Sequence, residues 1–320
     1  MRSIWFFLAA SFCASMPAVA QEAWPARTVR LIAPAAPGGN PDVLARMLAA
    51  KLAEAFGRSF VVENVPGAGG AVAAEHLARA QADGHTLMLG DSGPLAINVA
   101  LNPKTTYRPL QDFAFVTALA ALPTVLIVHP AAPGTLEDLI AAAKARPGQL
   151  TYGSAGPGSV HHLTMAVFAA RAGIDMLHVP YKGGTALVGG VLAGEVQSGW
   201  SGIPNVVSHV RSGKLRVLLV STTRRSAALP DVPTAAERGF PGFDIATVIG
   251  LQGPAGLPRD VIARLQRAVA KAVREPDFAE RMKNLGMELL ENGTEDYERF
   301  VREDIERYVA AVKAAGIKPE

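Results

Sequence analysis

The chain has 320 residues, of which 49% are hydrophobic and 18% are charged. A chain this long and this apolar can bury the cores of two ordinary domains, which excludes a disordered polymer. Its 31 Lys and Arg against 28 Asp and Glu leave a formal charge of +3. Because no run of basic residues forms a phosphate-binding stripe, we expect no nucleic-acid partner.

The first twenty residues have the pattern of a secretory signal peptide. Arg2 supplies a positive start, residues 4–12 are apolar, and Ala18-Val19-Ala20 forms a small-residue cleavage site before Gln21. The apolar stretch is too short to span a bilayer. Segment 1–20 is therefore predicted to be cleaved, and the mature protein is predicted to reside in the periplasm.

Cys13 is the only cysteine of the chain, and it lies inside this segment. The mature protein would then carry no thiol, which excludes a disulfide framework, a cysteine nucleophile and a thiolate metal site. Phe12 is too bulky to precede the cysteine of a lipoprotein signal, so no lipid anchor is expected. No later stretch is long and apolar enough to predict a membrane span.

Strands and helices alternate in the region that follows. Asn40 is predicted as the N-cap of a helix with Pro41 at its first position, and Gly57 is predicted to end that helix after Phe56. A second helix is expected to end near Asp83. The strands are predicted at 29–33, 60–62 and 86–89. This βαβαβ order favours a parallel sheet with right-handed crossovers.

A second unit of the same kind begins after Phe113. Thr135 opens a helix in the style of a capping box, and strands are predicted at 125–128, 176–179, 196–200 and 215–221. The last part is mainly helical, at 258–274, 277–285 and 294–315, with a short strand at 287–290.

Two extended apolar stretches, 113–128 and 243–253, are predicted to cross between the two units. The expected architecture is α/β, with two lobes separated by a cleft. The first lobe comprises residues 21–121 plus 245–320, and the second comprises residues 122–244.

Three glycine loops each precede a helix, at 38–40, 67–70 and 153–159. Glycine lets the backbone approach a ligand, and the free N–H groups of a helix start favour anions. Any one loop also fits an ordinary tight turn. Three loops at strand ends facing one cleft favour ligand binding.

Enzymatic alternatives find little support in the same residues. No P-loop and no complete Gly-x-Gly-x-x-Gly occurs, and Gly153-Ser154-Ala155-Gly156 is one residue too short for a nucleophile elbow. Ser159 with His161 or His162 is the remaining arrangement for a secreted serine hydrolase. Adjacent histidines on a helix point about 100° apart, so they do not share a metal easily. We expect no catalytic residues, no metal and no cofactor.

A series of short motifs runs from Trp24 to about Ile317. They are Trp24-Pro25-Ala26-Arg27-Thr28-Val29-Arg30-Leu31-Ile32, Ala36-Pro37-Gly38-Gly39 with Asp42, Val62-Glu63-Asn64 before Pro66-Gly67-Ala68-Gly69-Gly70, Tyr152-Gly153-Ser154-Ala155-Gly156 with His162, Val179-Pro180-Tyr181-Lys182-Gly183, Gly213-Lys214-Leu215-Arg216, and Leu229-Pro230-Asp231-Val232-Pro233-Thr234. This ordered set resembles the Bug-type solute-binding receptors of tripartite tricarboxylate transport systems.

The resemblance implies a type II periplasmic-binding-protein fold whose lobes close on a small carboxylate. In that family the carboxylate is usually met by backbone N–H groups, hydroxyls and waters. Carried over by position, the expected ligand contacts are Ala36, Gly38, Gly39, Asn40, Asp42, Asp91 and Ser92 from the first lobe, and Ser154, Ala155, Gly158, Ser159, Tyr181 and Ser201 from the second.

Two residues in or next to this predicted site, Asp42 and Lys182, each have a second interpretation. Asp42 either contacts the ligand or stabilises the dipole of its helix, since it falls in the first turn. Lys182 either lines the cleft or is a solvated loop charge.

Three positions depart from the family pattern. Asp91 stands where a threonine or small residue is more common, Ser201 follows Trp200 where an aspartate is common, and Val248 replaces a frequent tryptophan. A carboxylate at Asp91 repels a ligand carboxylate but accepts from an ammonium or hydroxyl group, unless it is only an outward-facing turn residue. The expected ligand is thus a mono- or dicarboxylate bearing a hydroxyl, amine or aromatic ring.

The resemblance also implies partners. A receptor of this type delivers its solute to integral-membrane permease subunits. A sensing role through the outer domain of a sensor kinase is the alternative. No sustained heptad is present, and a hinged receptor needs free lobes, so a monomer is expected.

Overall fold

The computed structural model describes residues 24–102, 104–157, 159–290 and 292–314. The predicted signal segment 1–20, with Cys13, and the predicted ligand residue Gly158 lie outside these ranges. Within the described ranges, every helix is too short or too polar to traverse a bilayer.

Strands and helices alternate along most of the chain. The strands are β1 (Val29–Ala33), β2 (Phe60–Asn64), β3 (Thr86–Gly90), β4 (Phe113–Val128), β5 (Thr151–Ser154), β6 (Leu177–Pro180), β7 (Ser198–Gly202), β8 (Arg216–Val220), β9 (Ala246–Pro254) and β10 (Glu288–Leu289). The helices are α1 (Asn40–Phe56), α2 (Ala71–Ala78), α3 (Asn98–Leu101), α4 (Pro109–Asp112), α5 (Leu136–Ala145), α6 (Val160–Ala172), α7 (Gly184–Leu192), α8 (Ile203–Arg211), α9 (Arg259–Val273), α10 (Pro276–Asn284) and α11 (Thr294–Ala314).

The strands pair in the order β2-β1-β3-β9-β4-β7-β5-β6, and β10 and β8 also pair with β4. β1 is parallel to β2 and β3, and β5 is parallel to β6 and β7. β9 is antiparallel to β3 and β4. The parallel groups correspond to the two predicted α/β units, and β4 and β9 are the connections between them; β7, β8 and β10 also pair antiparallel with β4.

Strand β4 belongs to both lobes. Its first part, from Phe113 to Pro123, pairs with β9, and its second part, from Thr124 to Val128, pairs with β7. At the change of partner, the hydroxyl oxygen of Ser221 accepts from the Thr124 backbone N–H at 3.0 Å. The predicted crossings at 113–128 and 243–253 therefore coincide with β4 and β9. The lobe boundaries 21–121 plus 245–320 and 122–244 stay a prediction.

Each lobe has an apolar core between its sheet and its helices. In the first lobe the apolar face of α1, with Leu44 and Leu48, packs among buried residues of β1, β3 and β9. In the second lobe Phe168 of α6 packs against Trp200 of β7, and Trp200 stacks on Phe243 with ring centroids 5.5 Å apart. Trp200 is fully buried, so it is a core residue.

Helix α11 contributes to both cores. Tyr297 and Val301, near its start, pack against the first lobe together with Phe115 of β4. Tyr308 and Val312, near its end, belong to the core that contains Trp200. The C-terminal helix thus lies across the back of the connection between the lobes.

Two local expectations differ from the structure. The helix that begins after Gly70 ends at Ala78 rather than near Asp83, because Asp83 forms a turn in which its carboxylate accepts from the His85 N–H at 2.9 Å. The N-cap of α1 is Gly39 rather than Asn40, since Gly39 has extended backbone angles and Asn40 is already helical. The Asn40 side chain is consequently free of a capping role.

Candidate functional site

A cavity of about 650 Å³ lies between the two lobes. The first lobe lines it with Asp91, Gly93 and residues 34–36, 39–41 and 66–70, and the second with Gly202, Asn205 and residues 155–157, 159–161 and 181–185. Leu122, Thr124 and Thr247, from the strands that join the lobes, complete the lining. Its size is typical of sites for small organic ligands.

Five helices begin at this cavity. The residues that precede α1, α2, α6, α7 and α8 all line it, and they are Gly39, Gly70, Ser159, Gly183 and Gly202. Only Ser159 among the five accepts a capping hydrogen bond on its side chain. The first turns of the other four helices keep backbone N–H groups without a side-chain cap. The convergence gives the cavity a positive potential that suits an anion.

Two of these junctions need glycine for the backbone itself. Gly70 has φ of +95°, and a Cβ there would meet the ring of Pro94 at 2.8 Å. Gly183 has φ of +103°. Since residues with side chains rarely adopt such angles, glycine lets both turns bring a helix start to the cavity wall.

Asp42 holds the first glycine loop from behind. Its side chain is 4% exposed, accepts from the Gly38 N–H and from Asn64 Nδ2, each at 2.8 Å, and forms an ion pair with Arg46 at 2.9 Å. Burial alone would raise the pKa of Asp42, but the hydrogen bonds from Arg46, Gly38 and Asn64 hold it below its ordinary value. Neither Asp42 nor Gly38 is among the residues that line the cavity.

Asn40 faces the second lobe across the cavity. Its amide nitrogen lies close to Gly202, at the place where a side chain on that glycine would stand. Its Oδ1 is buried and accepts no hydrogen bond from the part of the chain that the structure describes. Asn40 therefore brings a side chain of the first lobe against the backbone of the second.

Asp91 and Ser92 point in different directions. Asp91 lines the cavity, and its Oδ1 accepts from the Gly93 N–H at 3.0 Å. Burial raises the pKa of Asp91 to about 6. Ser92 is buried behind the lining, where its hydroxyl donates to Asp304 of α11 at 2.8 Å and accepts from the Val248 N–H at 3.3 Å.

Of the residues predicted for the second lobe, some line the cavity and others are buried behind the lining. Ala155 and Ser159 line the cavity. Ser154 is buried below them, with its hydroxyl 2.7 Å from His178 Nε2, and Ser201 is buried in β7. The Ser159 hydroxyl donates to the Gly156 carbonyl at 2.7 Å and accepts from the His162 N–H at 3.3 Å. Ser159 is therefore the N-cap of α6. Its hydroxyl is bonded to these two backbone groups, whereas a Ser–His catalytic pair would require a bond to a histidine ring.

Tyr181 and Lys182 both lie in the lining. The Tyr181 hydroxyl donates to Glu195 at 2.9 Å, which fixes the ring at the cavity wall. Among the described lining residues, Lys182 is the one lysine, Asp91 is the one acidic residue, and there is no arginine. An anionic ligand would therefore meet helix starts and one cation, with a single acid nearby.

Several lining residues were missed by the sequence analysis. Thr124 and Thr247 lie on the connecting strands, Thr185 and Asn205 follow the starts of α7 and α8, and His161 follows the start of α6. Burial lowers the pKa of His161 to about 4, so its ring is neutral at pH 7. Pro204 was a usable signal, because proline is favoured in the first turn of a helix.

Comparisons with known proteins agree with this geometry. Residues 44–317 match the family model described as the tripartite tricarboxylate transporter family receptor, TctC. A solved structure of an R. palustris protein with adipate is 34% identical, with a TM-score of 0.89 over 93% of this chain and 100% of that one. MatC from Rhodopseudomonas palustris with bound malate is 33% identical, with a TM-score of 0.85 over 90% and 100% of the two chains. The periplasmic binding protein BugD is 29% identical, with a TM-score of 0.88 over 93% and 100%.

Proposed function

We propose that this chain, which belongs to the tripartite tricarboxylate transporter receptor family, TctC, captures a small organic carboxylate between its lobes and delivers it to a membrane permease. Members of this family are solute-binding receptors rather than enzymes, and so is this chain. Its fold is the type II periplasmic-binding-protein fold of the Bug-type receptors. Receptors of this family are periplasmic binding proteins.

The observation that carries the proposal is the convergence of five helix starts on one cavity. Each uncapped start favours a negative charge by about 0.3–1 kcal/mol, and by up to about 2 kcal/mol where water is partly excluded. Two carboxylates of one ligand would engage starts from both lobes. Such a ligand binds the closed arrangement better than the open one, and this difference drives closure.

The relatives narrow the chemical class. One of the similar structures contains adipate and another contains malate, and both ligands are dicarboxylates. A pair of carboxylates matches a cavity that has uncapped helix starts on two opposite walls. We therefore place a dicarboxylate first among the candidate solutes.

Some of the residues predicted to contact the ligand line the cavity, and others do not. We propose that the ligand contacts Ala36, Gly39, Asn40 and Asp91 on one side and Ala155, Ser159 and Tyr181 on the other. Gly38, Asp42, Ser92 and Ser154 stand behind the lining, where their hydrogen bonds hold the surrounding loops, and Ser201 is buried in β7. Gly158 belongs to the same loop as Ala155 but is outside the described residues.

A binding screen tests the capture step. The protein, refolded to remove retained ligand, is screened by thermal shift against dicarboxylates, tricarboxylates, hydroxy acids, amino acids and aromatic acids, and each response is followed by calorimetry. At one hundred times its Kd a ligand stabilises the folded state by about 2.7 kcal/mol, which moves the midpoint by about 4 °C for a chain of this size.

A blocked cavity provides the matched control. Ala155→Trp puts a large ring on the cavity wall and should abolish the shift, whereas Ala310→Trp on the exposed face of α11 should retain it. Absence of any acid-induced shift in the folded wild-type protein would contradict carboxylate capture.

Export and delivery need separate experiments. Mass spectrometry of the exported protein should find Gln21 as the first residue if segment 1–20 is cleaved. Uptake of the bound acid into vesicles containing a tripartite tricarboxylate permease should require this receptor, and Ala155→Trp should not support uptake. Uptake that proceeds equally without the receptor would contradict delivery.

A further inference from the structure

Two oxygen acceptors of the first lobe face the same cavity. Asn40 Oδ1 is buried and accepts no hydrogen bond from the described residues. Asp91 lines the cavity and receives the Gly93 N–H on Oδ1. A carboxylate has about four lone-pair sites, so Asp91 retains capacity for further donors. Both groups therefore suit a ligand atom that donates a hydrogen bond.

An unsubstituted dicarboxylate would leave these acceptors unsatisfied. Its oxygens accept hydrogen bonds and cannot donate them at neutral pH, so Asn40 Oδ1 would stay without a partner in a closed cleft. An ionised Asp91 would also repel the ligand carboxylates as a like charge. The helix starts attract the carboxylates, but they do not complement this part of the wall.

The opposite wall has a different character. His161 is 9% exposed, lines the cavity, and has an Nδ1 with no hydrogen-bond partner among the described residues. Lys182 adds a positive charge on the same side. The cavity therefore offers hydrogen-bond donors at the helix starts and at Lys182, and hydrogen-bond acceptors at Asp91 and Asn40.

We propose that Asp91 and Asn40 recognise a hydrogen-bond-donating substituent, an ammonium or a hydroxyl group, on the carbon chain of the carboxylate ligand. Asp91 is then a specificity-determining residue, and the preferred solutes are amino- or hydroxy-dicarboxylates rather than their unsubstituted parents. The inference rests on the proposed carboxylate capture and names the ligand class within it.

Ligands with one carbon skeleton and different substituents test the preference directly. Calorimetry at pH 7.5 would compare succinate, malate and aspartate, and then adipate and 2-aminoadipate. We expect the substituted acid of at least one series to bind the wild-type protein at least tenfold more tightly than its parent. The malate and aspartate arms separate a hydroxyl preference from an ammonium preference. Parents that bind as tightly as every substituted acid would overturn the inference.

Asp91→Asn tests the residue itself. The amide keeps the size of the side chain and removes its charge, so the substituted-to-parent affinity ratio should fall to within about threefold and the parent acid should bind more tightly than before. Asp231→Asn, at an exposed turn remote from the cavity, is the matched control and should keep the wild-type ratio. An unchanged ratio in Asp91→Asn would overturn the role of this residue.

The two levels of proposal fail differently. If no carboxylate binds to the wild-type protein, carboxylate capture itself is wrong. If carboxylates bind without regard to the substituent, capture stands and the donor preference is wrong. The comparison on wild-type protein also decides the inference if Asp91→Asn does not fold.

Discussion

At the scale of single residues, two carboxylates near the ligand loops have opposite surroundings. Asp42 accepts hydrogen bonds from Gly38 and Asn64 and pairs with Arg46, which keeps it ionised. Asp91 receives the Gly93 N–H and is partly buried in the cavity wall, and this burial raises its pKa. One acid therefore stabilises a loop, whereas the other faces the cavity.

Replacing Asp42 should destabilise the protein through its lost hydrogen bonds. Asp42→Asn places an amide donor against the donors of Gly38 and Asn64, and we expect a loss of about 2 kcal/mol in the free energy of unfolding. Asp260→Asn is the control, because Asp260 is exposed in the first turn of α9 and should cost only the dipole effect of about 0.5 kcal/mol. Urea unfolding of both variants measures the difference. Equal losses would mean that Asp42 acts through the helix dipole alone.

Asp91 should make the stability of the ligand-free protein depend on pH. Because its pKa is raised by burial from 3.8 to about 6, its contribution is complete below pH 4 and is lost as the pH rises through 6. Relative to Asp91→Asn, the wild-type protein should lose up to about 3 kcal/mol between pH 4 and pH 8.

The comparison with Asp91→Asn removes the contributions of other groups. Burial also raises the pKa of Asp304, next to Arg307, and lowers that of His161, while Tyr297 and Tyr308 titrate at much higher pH. All of these are present in both chains. Urea unfolding at intervals of one pH unit measures the curves, and parallel curves for the two proteins would show that Asp91 is not buried in solution.

At the scale of secondary-structure elements, the helix starts are the units from which the site is made. α6 starts with a side-chain cap, since the Ser159 hydroxyl accepts from the His162 N–H, and Ser159 also lines the cavity. α5 starts with an equivalent cap, in which Thr135 accepts from the Asp138 N–H at 3.1 Å, but Thr135 is not among the lining residues. The two caps therefore separate a structural effect from a ligand effect.

Removing each cap in turn should give different binding results. Ser159→Ala and Thr135→Ala should each lower the free energy of unfolding by about 1 kcal/mol. Only Ser159→Ala should also weaken ligand binding, by about tenfold, because Ser159 lines the cavity and its hydroxyl holds the lining residue Gly156 in place. Calorimetry with the tightest acid of the screen checks this, and equal affinities in the two variants would remove Ser159 from the ligand contacts.

Sequence patterns predicted the elements whose periodicity was strong. The strand at 29–33, the end of α1 at Gly57 and the helices of the C-terminal part were predicted to within a residue or two. α7 and α8 were not predicted: α7 has three glycines and no polar face, and the proline in the first turn of α8 was not used as a signal. The two helix starts at Gly183 and Gly202 were thus missing from the predicted site.

The roles of individual site residues were less predictable for a physical reason. Asp42 lies in the first turn of α1 and Asp91 directly follows β3, and these sequence positions do not reveal which N–H groups come within reach. One partner of Asp42, Asn64, belongs to another strand, and the loop geometry that aims the Gly38 and Gly93 N–H groups at these carboxylates is set by tertiary structure. The sequence therefore predicted the loops that form the cavity more reliably than the direction of each side chain.

At the scale of the whole molecule, the lobes touch across the cavity where Asn40 meets Gly202. Gly202 has φ of −66°, so a side chain there strains no backbone, but a Cβ would stand where the Asn40 amide lies. Gly202→Ala should therefore leave folding nearly unchanged and hold the lobes apart. Gly189, whose Cβ position is unobstructed and lies on α7, provides the matched control.

Closure should depend on this contact. We expect Gly202→Ala to weaken ligand binding about tenfold and to reduce the ligand-induced decrease in radius of gyration seen by small-angle X-ray scattering. Gly189→Ala should behave like the wild-type protein in both measurements. A Gly202→Ala variant that closes and binds normally would show that the Asn40 contact does not limit closure.

The position of the cavity at the strand that both lobes share has a mechanical consequence. Leu122 and Thr124 of β4 line the cavity on either side of Pro123, where the strand changes from β9 to β7. If the lobes turn about this shared strand, a ligand held there is close to the axis of rotation, and the outer ends of the lobes are far from it. A small difference in ligand length would thus become a larger displacement at the outer ends. A permease that contacts both outer ends would then respond to the length of the solute without contacting the solute itself.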